Sequence, residues 1–166
     1  SKADLTIINS CTVTSSAASK TRSEITAAKK ANPEGKVALV GCYAQEVKGK
    51  ILDKKQVDLI LGNQEKYVIA EYIPLLKNEP VVSIKQNGPK STTYTFMDDS
   101  YPADGTRTRA NLKIQEGCDY YCSYCIIPYL RGNVRSRKYQ SCLQEAQKLD
   151  EIGYKEIVLT GVNTGR

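Results

Sequence analysis

Cys118, Cys122 and Cys125 fall within eight residues, in the segment Gly117-Cys118-Asp119-Tyr120-Tyr121-Cys122-Ser123-Tyr124-Cys125. Thiols this close are too crowded for ordinary core packing, and their spacing lets one loop wrap a metal centre from one side. Three arrangements would use them differently. A structural zinc site needs a fourth ligand, usually from a second C-x2-C pair or from histidine. The chain has no histidine, and Cys142 lies 17 residues further on. A disulfide between Cys122 and Cys125 would leave Cys118 idle. An iron–sulfur cluster is normally held by four thiolates, so three would leave one iron with an open position. Such an iron can chelate the amino and carboxylate groups of S-adenosylmethionine and pass one electron to its sulfonium, with the protein supplying position and environment. Tyr124, between the second and third cysteines, places an aromatic ring where it could pack against the adenine.

Cys11 and Cys42 each follow an apolar run and precede a helix-like segment. Free cysteines are commonly small buried hydrophobes, and that reading competes with metal ligation. In favour of ligation, a thiol near a helix N-terminus meets a dipole that favours the thiolate. Gly161-Val162-Asn163 reads either as an ordinary turn after a strand or as part of a binding loop. Arg131, Arg135 and Arg137 suit phosphate or carboxylate contacts, or simply a solvated surface. Tyr120, Tyr121 and Tyr129 suit loop packing or stacking on an extruded base. Cys142 shares a helical face with Ala146, Leu149 and Gly153 and is assigned to that core. Without histidine, chemistry must come from cysteine, carboxylate, lysine, arginine or a cofactor.

The elements that would carry these residues alternate. Leu5–Ile8, Val37–Val40 and Val57–Leu61 are short apolar runs suited to a buried parallel sheet. Helices are predicted for Ser15–Asn32, Gln45–Lys54 and Gln64–Lys77, with Asn32-Pro33-Glu34-Gly35 stopping the first. Alternating strands and helices imply an α/β fold with right-handed crossovers. Residues 78–108 change character: Gly, Pro, Ser, Thr and Asp dominate Gln86–Thr93 and Asp98–Thr106, which reads as a linker between a domain at 1–77 and another at 109–166. The second begins with a strand at Asn111–Gln115 that runs into the cysteine loop. A helix at Ser141–Ile152, a stop at Gly153 and a strand at Glu156–Thr160 follow. The loop thus falls at the C-terminal ends of strands, where α/β proteins keep their active sites.

The 166 residues carry a net charge of +6 and are 40% apolar. This is room for one ordinary domain or two small ones, and the charge suits a partner with phosphates without establishing it. There is no run of about twenty apolar residues and no signal-like segment, so a soluble, cytoplasmic protein with reduced thiols and no membrane partner is expected. The start on Ser1, without methionine, and the stop at Arg166 just past an apolar run lead us to expect a piece of a longer protein.

Leu112-Lys113-Ile114-Gln115-Glu116-Gly117-Cys118, Cys122, Cys125-Ile126-Ile127-Pro128, Arg131-Gly132 and Arg135-Ser136-Arg137 together resemble the methylthiotransferase branch of the radical S-adenosylmethionine enzymes. Ile8-Asn9-Ser10-Cys11-Thr12-Val13-Thr14 and Val40-Gly41-Cys42-Tyr43-Ala44-Gln45 look like two of the three cysteine motifs in that family's N-terminal domain. The resemblance spans nearly the whole chain, in order. It looks most like the tRNA enzymes that act on threonylcarbamoyladenosine beside the anticodon, on the strength of Lys113–Gly117 and Ile157–Gly161.

The resemblance implies an N-terminal Rossmann-like parallel-sheet domain, lacking its first βα unit, followed by the opening strands and helix of a truncated (β/α) partial barrel. It implies two 4Fe-4S clusters: one on Cys118, Cys122 and Cys125, the other on three thiolates of which Cys11 and Cys42 are two. The third would lie before residue 1, so the second cluster and activity are expected to be impaired in this chain alone. Tyr124, Gly161 and Asn163 are implied contacts to S-adenosylmethionine, the last two at its methionyl group. The implied partners are tRNA and an external electron donor. The implied reaction abstracts hydrogen from C2 of the adenosine, with sulfur carried or donated by the second cluster and methyl from another S-adenosylmethionine. Related substrates would be isopentenyl-adenosine in tRNA or an aspartate of a ribosomal protein. The competing class is a zinc-stabilised nucleic-acid-binding module using the basic stretch Arg131–Lys138.

Overall fold

The computed structural model describes residues 3–48, 50, 56–76, 79–85 and 108–165. Two compact units divide the chain, Ser1–Asn87 and Gly88–Arg166. The first is built on a four-stranded parallel sheet of β1 (Leu5–Ser10), β2 (Lys36–Gly41), β3 (Leu59–Leu61) and β4 (Val81–Ser83), in that order. Parallel strands covered on both faces read as unbroken apolar runs, because successive side chains enter opposite cores. Leu39 and Ile60 join Ile25, Tyr43, Ala44 and Val57 in one cluster. Ala38, Val40, Leu59 and Leu61 meet Leu5, Ile69, Tyr72, Leu76 and Val81 in the other. Burial of a Leu or Ile in either is worth about 1.5–3 kcal/mol.

Helix α1 (Ser15–Ala31) starts where the Thr14 hydroxyl accepts from the Ala17 amide at 3.1 Å, satisfying one of the orphan donors at a helix start. It ends at Asn32, as the Asn-Pro-Glu-Gly sequence predicts. α2 (Cys42–Val47) is shorter than expected, because Lys48 turns into the left-handed region at φ 45°. The rest of the predicted Gln45–Lys54 helix falls mostly outside the described residues. The single helix predicted for Gln64–Lys77 is instead a 3₁₀ turn (Glu65–Val68), a short α3 (Ile69–Tyr72) and a second 3₁₀ turn (Ile73–Leu75). Pro74 has no N–H to extend the α-helical ladder. Val81–Ser83, read from sequence as linker, is β4 and pairs with β3; two adjacent valines after Pro80 were hidden by the turn-forming composition that follows. Most of the rest of the predicted linker, residues 86–107, lies outside the described residues.

Asp58 ties the amino end of this sheet together. Its carboxylate accepts from Lys29 at 2.9 Å, Lys36 at 3.2 Å and the Val37 amide at 2.9 Å. Partial burial pushes its carboxyl up, but the Val37 amide, then Lys29 and Lys36, outweigh this and hold it below the usual carboxylate range. A depressed folded-state pKa gives stability that is present above the unfolded value and lost as pH falls through the folded one. Asp58→Asn is therefore expected to cost about 1–3 kcal/mol at neutral pH. In urea titrations the deficit should shrink as pH falls from about 5 to about 3. A deficit that is constant over that range would show that charge plays no part.

The second unit holds β5 (Arg109–Lys113) paired in parallel with β8 (Glu156–Thr160), and β6 (Gln115–Glu116) paired antiparallel with β7 (Arg135–Ser136). The single strand predicted at Asn111–Gln115 is thus two, and Ile114 makes the change of partner. Its amide donates to Thr160 O at 2.9 Å and its carbonyl accepts from the Arg137 amide at 2.8 Å. α4 (Ile127–Arg131) follows the cysteine loop, and α5 (Tyr139–Ile152) precedes β8. α5 ends as predicted at Gly153, at φ 102°, where Tyr154 N donates back to Leu149 O at 3.1 Å. Leu149, Ala110 and Tyr154 form the local core. Among the described residues no helix is long and apolar enough to cross a membrane.

Candidate functional site

The register of β5 and β8 brings Lys113 opposite Thr160. The cysteine loop and the Gly161–Asn163 loop therefore leave the same carboxyl end of one strand pair. Gly117 makes the turn out of β6 at φ 74°. A Cβ there would lie 2.0 Å from Asn133 O and 2.7 Å from Gly132 O, so the position admits only glycine. The Cys118 amide donates to Gly132 O at 3.1 Å and the Cys125 amide to Cys122 O at 2.9 Å. Buried Ile127 and Leu130 of α4 anchor the far side of the loop.

Cys118 and Cys125 are half-buried, and Cys122 is exposed; all three are free thiols. Among the described residues no three cysteines, aspartates or glutamates already form a metal cage. The donor set still fits an iron–sulfur cluster: three reachable thiols on one braced loop, with no imidazole to compete. Tyr124 is 90% exposed and has no packing role. Tyr121, by contrast, serves the loop itself. Its backbone sits at φ 48°, its hydroxyl donates to Asn133 Oδ1 at 2.9 Å, and its ring meets Tyr129 edge-on at 5.7 Å. Burial pushes its phenol up, with Tyr129, Asp119 and Cys118 adding to the effect, so the hydroxyl stays a neutral donor. Tyr120 and Tyr129 are both more than half exposed.

Two of the arginines that sequence left between ligand contact and solvated surface are structural. Arg137 is buried, bonded to Ser141 Oγ at 3.0 Å and facing Glu145 at 3.7 Å. Arg135 bonds Glu116 at 3.0 Å and Asn133 O at 2.8 Å. Cys142 is half-buried on α5.

Asn163 contributes an orphan. Its Nδ2 is buried and has no hydrogen-bond partner, a free donor within the loop that the resemblance sets against the methionyl group. Sequence reading missed Gln115, which is 2% exposed and lies between the two loops. The available signal was a polar residue on the inward side of an alternating strand, just before the cysteines.

In the first unit, β1 and β2 run in register from Leu5 opposite Lys36 to Ser10 opposite Gly41. Cys11 and Cys42 therefore leave the same carboxyl edge at matched positions, as the sequence predicts. Their surroundings differ: Cys11 is exposed and Cys42 is only 4% exposed. The Cys42 sulfur lies 3.8 Å from the Asn63 side-chain amide. Gln45, 1% exposed, holds that neighbourhood by accepting from the Asn63 backbone N–H at 3.1 Å and donating to Lys85 O at 2.9 Å. Thr12, beside Cys11, bonds Glu46 of α2.

A parallel α/β unit with cysteines at its carboxyl edge is followed by a βα unit with a three-thiol loop, so thiols stand at strand ends in both units. Residues 1–62 match the family described as uncharacterized protein family UPF0004, and residues 112–165 match the radical SAM superfamily. The chain is 42% identical over 165 residues to threonylcarbamoyladenosine tRNA methylthiotransferase MtaB of Bacillus subtilis, covering 98% of this chain and 36% of the relative. It is 36% identical over 163 residues to the protein of the same name in Aquifex aeolicus, covering 96% and 38%. It is also 36% identical over 162 residues to ribosomal protein uS12 methylthiotransferase RimO of Rippkaea orientalis, covering 95% and 34%. The chain belongs to the methylthiotransferase family of the radical S-adenosylmethionine superfamily. It spans little more than a third of the length of these relatives.

Proposed function

We propose that the chain belongs to a tRNA methylthiotransferase that adds a methylthio group at C2 of N6-threonylcarbamoyladenosine, in the cytoplasm, drawing on an external electron donor. The observation that supports this best is the three free thiols on a glycine-turned loop beside the orphaned Asn163 amide. When bound, a 4Fe-4S cluster and S-adenosylmethionine supply the one-electron chemistry that opens the adenosine C2–H bond. Cys118, Cys122 and Cys125 hold that cluster. The Tyr124 ring is free to cover the adenine, and Gly161 and Asn163 line the methionyl group. Cys11 and Cys42 would supply two ligands to a second cluster, which would carry or donate the sulfur.

Mass spectrometry of tRNA nucleosides from a deletion strain tests the substrate. The strain is expected to lose the methylthio group from threonylcarbamoyladenosine and keep it on isopentenyl-adenosine. Persistence of the first modification rejects the reading. The relative that acts on a ribosomal protein makes the uS12 aspartate the next substrate to examine. Anaerobic purification tests the chemistry itself: a coloured protein containing iron and sulfide is expected, whereas a colourless one with a single zinc would establish the structural-zinc alternative.

A further inference from the structure

The amide of Gln115 uses every hydrogen-bonding position it has. Nε2 donates to Glu116 O at 2.9 Å and to Gly117 O at 2.8 Å. Oε1 accepts from the Val162 and Asn163 amides, each at 2.7 Å. The orientation is determined by its partners, since the flipped amide would set oxygen against two carbonyls and nitrogen against two N–H groups. A carboxylate could only accept here, and an ammonium could only donate. The backbone on one side leads directly into Cys118. On the other side it carries Asn163, whose Nδ2 is the buried donor without a partner. Gly161 makes room for the staple, because a Cβ there would stand 2.9 Å from both Gln115 Cβ and Gln115 Oε1.

We propose that Gln115 is a positioning residue that fixes the cysteine loop against the Val162-Asn163 backbone, and so sets where S-adenosylmethionine binds relative to the three thiolates. The inference rests on the functional reading above. Gln115 touches neither the thiols nor the cofactor in this role; it holds the register between the two loops that do. Hydrogen bonds that span two loops through a side chain only 2% exposed are costly to lose, because the half-buried backbone groups facing it lose their partners.

The test compares wild type, Gln115→Ala and Gln115→Glu after anaerobic reconstitution. Three quantities are read: iron and sulfide per chain, S-adenosylmethionine affinity by equilibrium dialysis, and the spectrum of the reduced cluster by electron paramagnetic resonance with and without the cofactor. Both variants are expected to keep wild-type iron, sulfide and cofactor-free spectrum. Their affinity for S-adenosylmethionine should fall by at least about tenfold, and the spectral change on adding it should shrink. Hydrogen exchange in the metal-free protein gives an independent reading. The Val162 and Asn163 amides should lose protection in Gln115→Ala more than in Gln115→Glu, which retains an acceptor. Wild-type affinity at full iron loading in both variants would overturn the proposal. So would failure of both to fold, or loss of the cluster itself, since either outcome makes Gln115 part of the scaffold alone. A wild-type protein that holds neither cluster nor cofactor would be a different result, defeating the functional reading on which the proposal stands.

Discussion

Replacing Cys118, Cys122 and Cys125 together with alanine is expected to remove about four irons and four sulfides per chain, the content of one 4Fe-4S cluster, and to abolish S-adenosylmethionine binding. The effect should be complete because nothing nearby can substitute. The chain has no histidine, and Cys142 lies on α5, 17 residues beyond Cys125. The same variant should leave the fold intact, since none of the three side chains is buried. Unchanged far-ultraviolet circular dichroism beside a lost cluster is therefore the expected pair of results. Iron that survives belongs with Cys11 and Cys42, and should disappear when those two are also replaced. Equal iron in wild type and the triple variant would sink the assignment of the loop as a cluster site.

Gly117→Ala should be nearly as damaging, by another route. The left-handed backbone alone costs a non-glycine residue about 1–2 kcal/mol, and forcing a methyl against close-packed neighbours typically adds about 1–3 kcal/mol. The neighbours at Gly117 are backbone atoms of Gly132 and Asn133, which cannot swing aside as a flexible side chain would. Adding these terms predicts a fall in the unfolding midpoint of about 10 °C or more for a unit of this size. Gly153→Ala is the matched control. Gly153 is also left-handed, at φ 102°, but a Cβ there meets nothing within 4 Å, so only the conformational cost remains. Thermal unfolding that shifts equally in both variants would show that the Gly132–Asn133 contact is unimportant.

The parts of this molecule governed by local pattern were legible in the sequence. Apolar runs marked β1, β2 and β3, though not β4, and the Asn-Pro-Glu-Gly stop and Gly153 marked their helix ends. The strand–cysteine–helix order correctly placed Cys11 and Cys42 at one sheet edge. What could not be read depends on partners distant in sequence. Whether Arg137 faces water or Glu145 is decided by how α5 packs, and Arg131, Arg135 and Arg137 look alike until it does. The β5–β6 break at Ile114 arises because two different strands claim consecutive residues, which periodicity in one segment cannot show. Gln115 was quoted as part of a motif without its role being visible, because its acceptor contacts lie 47 and 48 residues away.

The antiparallel pairing of Glu116 with Arg135 has a consequence for how metal is acquired. Every cysteine of the candidate cluster lies between those two residues, so β6 and β7 shut the ends of the loop before any ion arrives. Closing a loop of this length costs roughly 2–3 kcal/mol of chain entropy, and the protein fold meets that cost rather than the metal. The Glu116–Arg135 ion pair at 3.0 Å reinforces the closure. Loading then requires only that three side chains and a short stretch of backbone converge. A cluster held there is expected to be lost and regained without unfolding, unlike in small metal-dependent domains that melt when stripped.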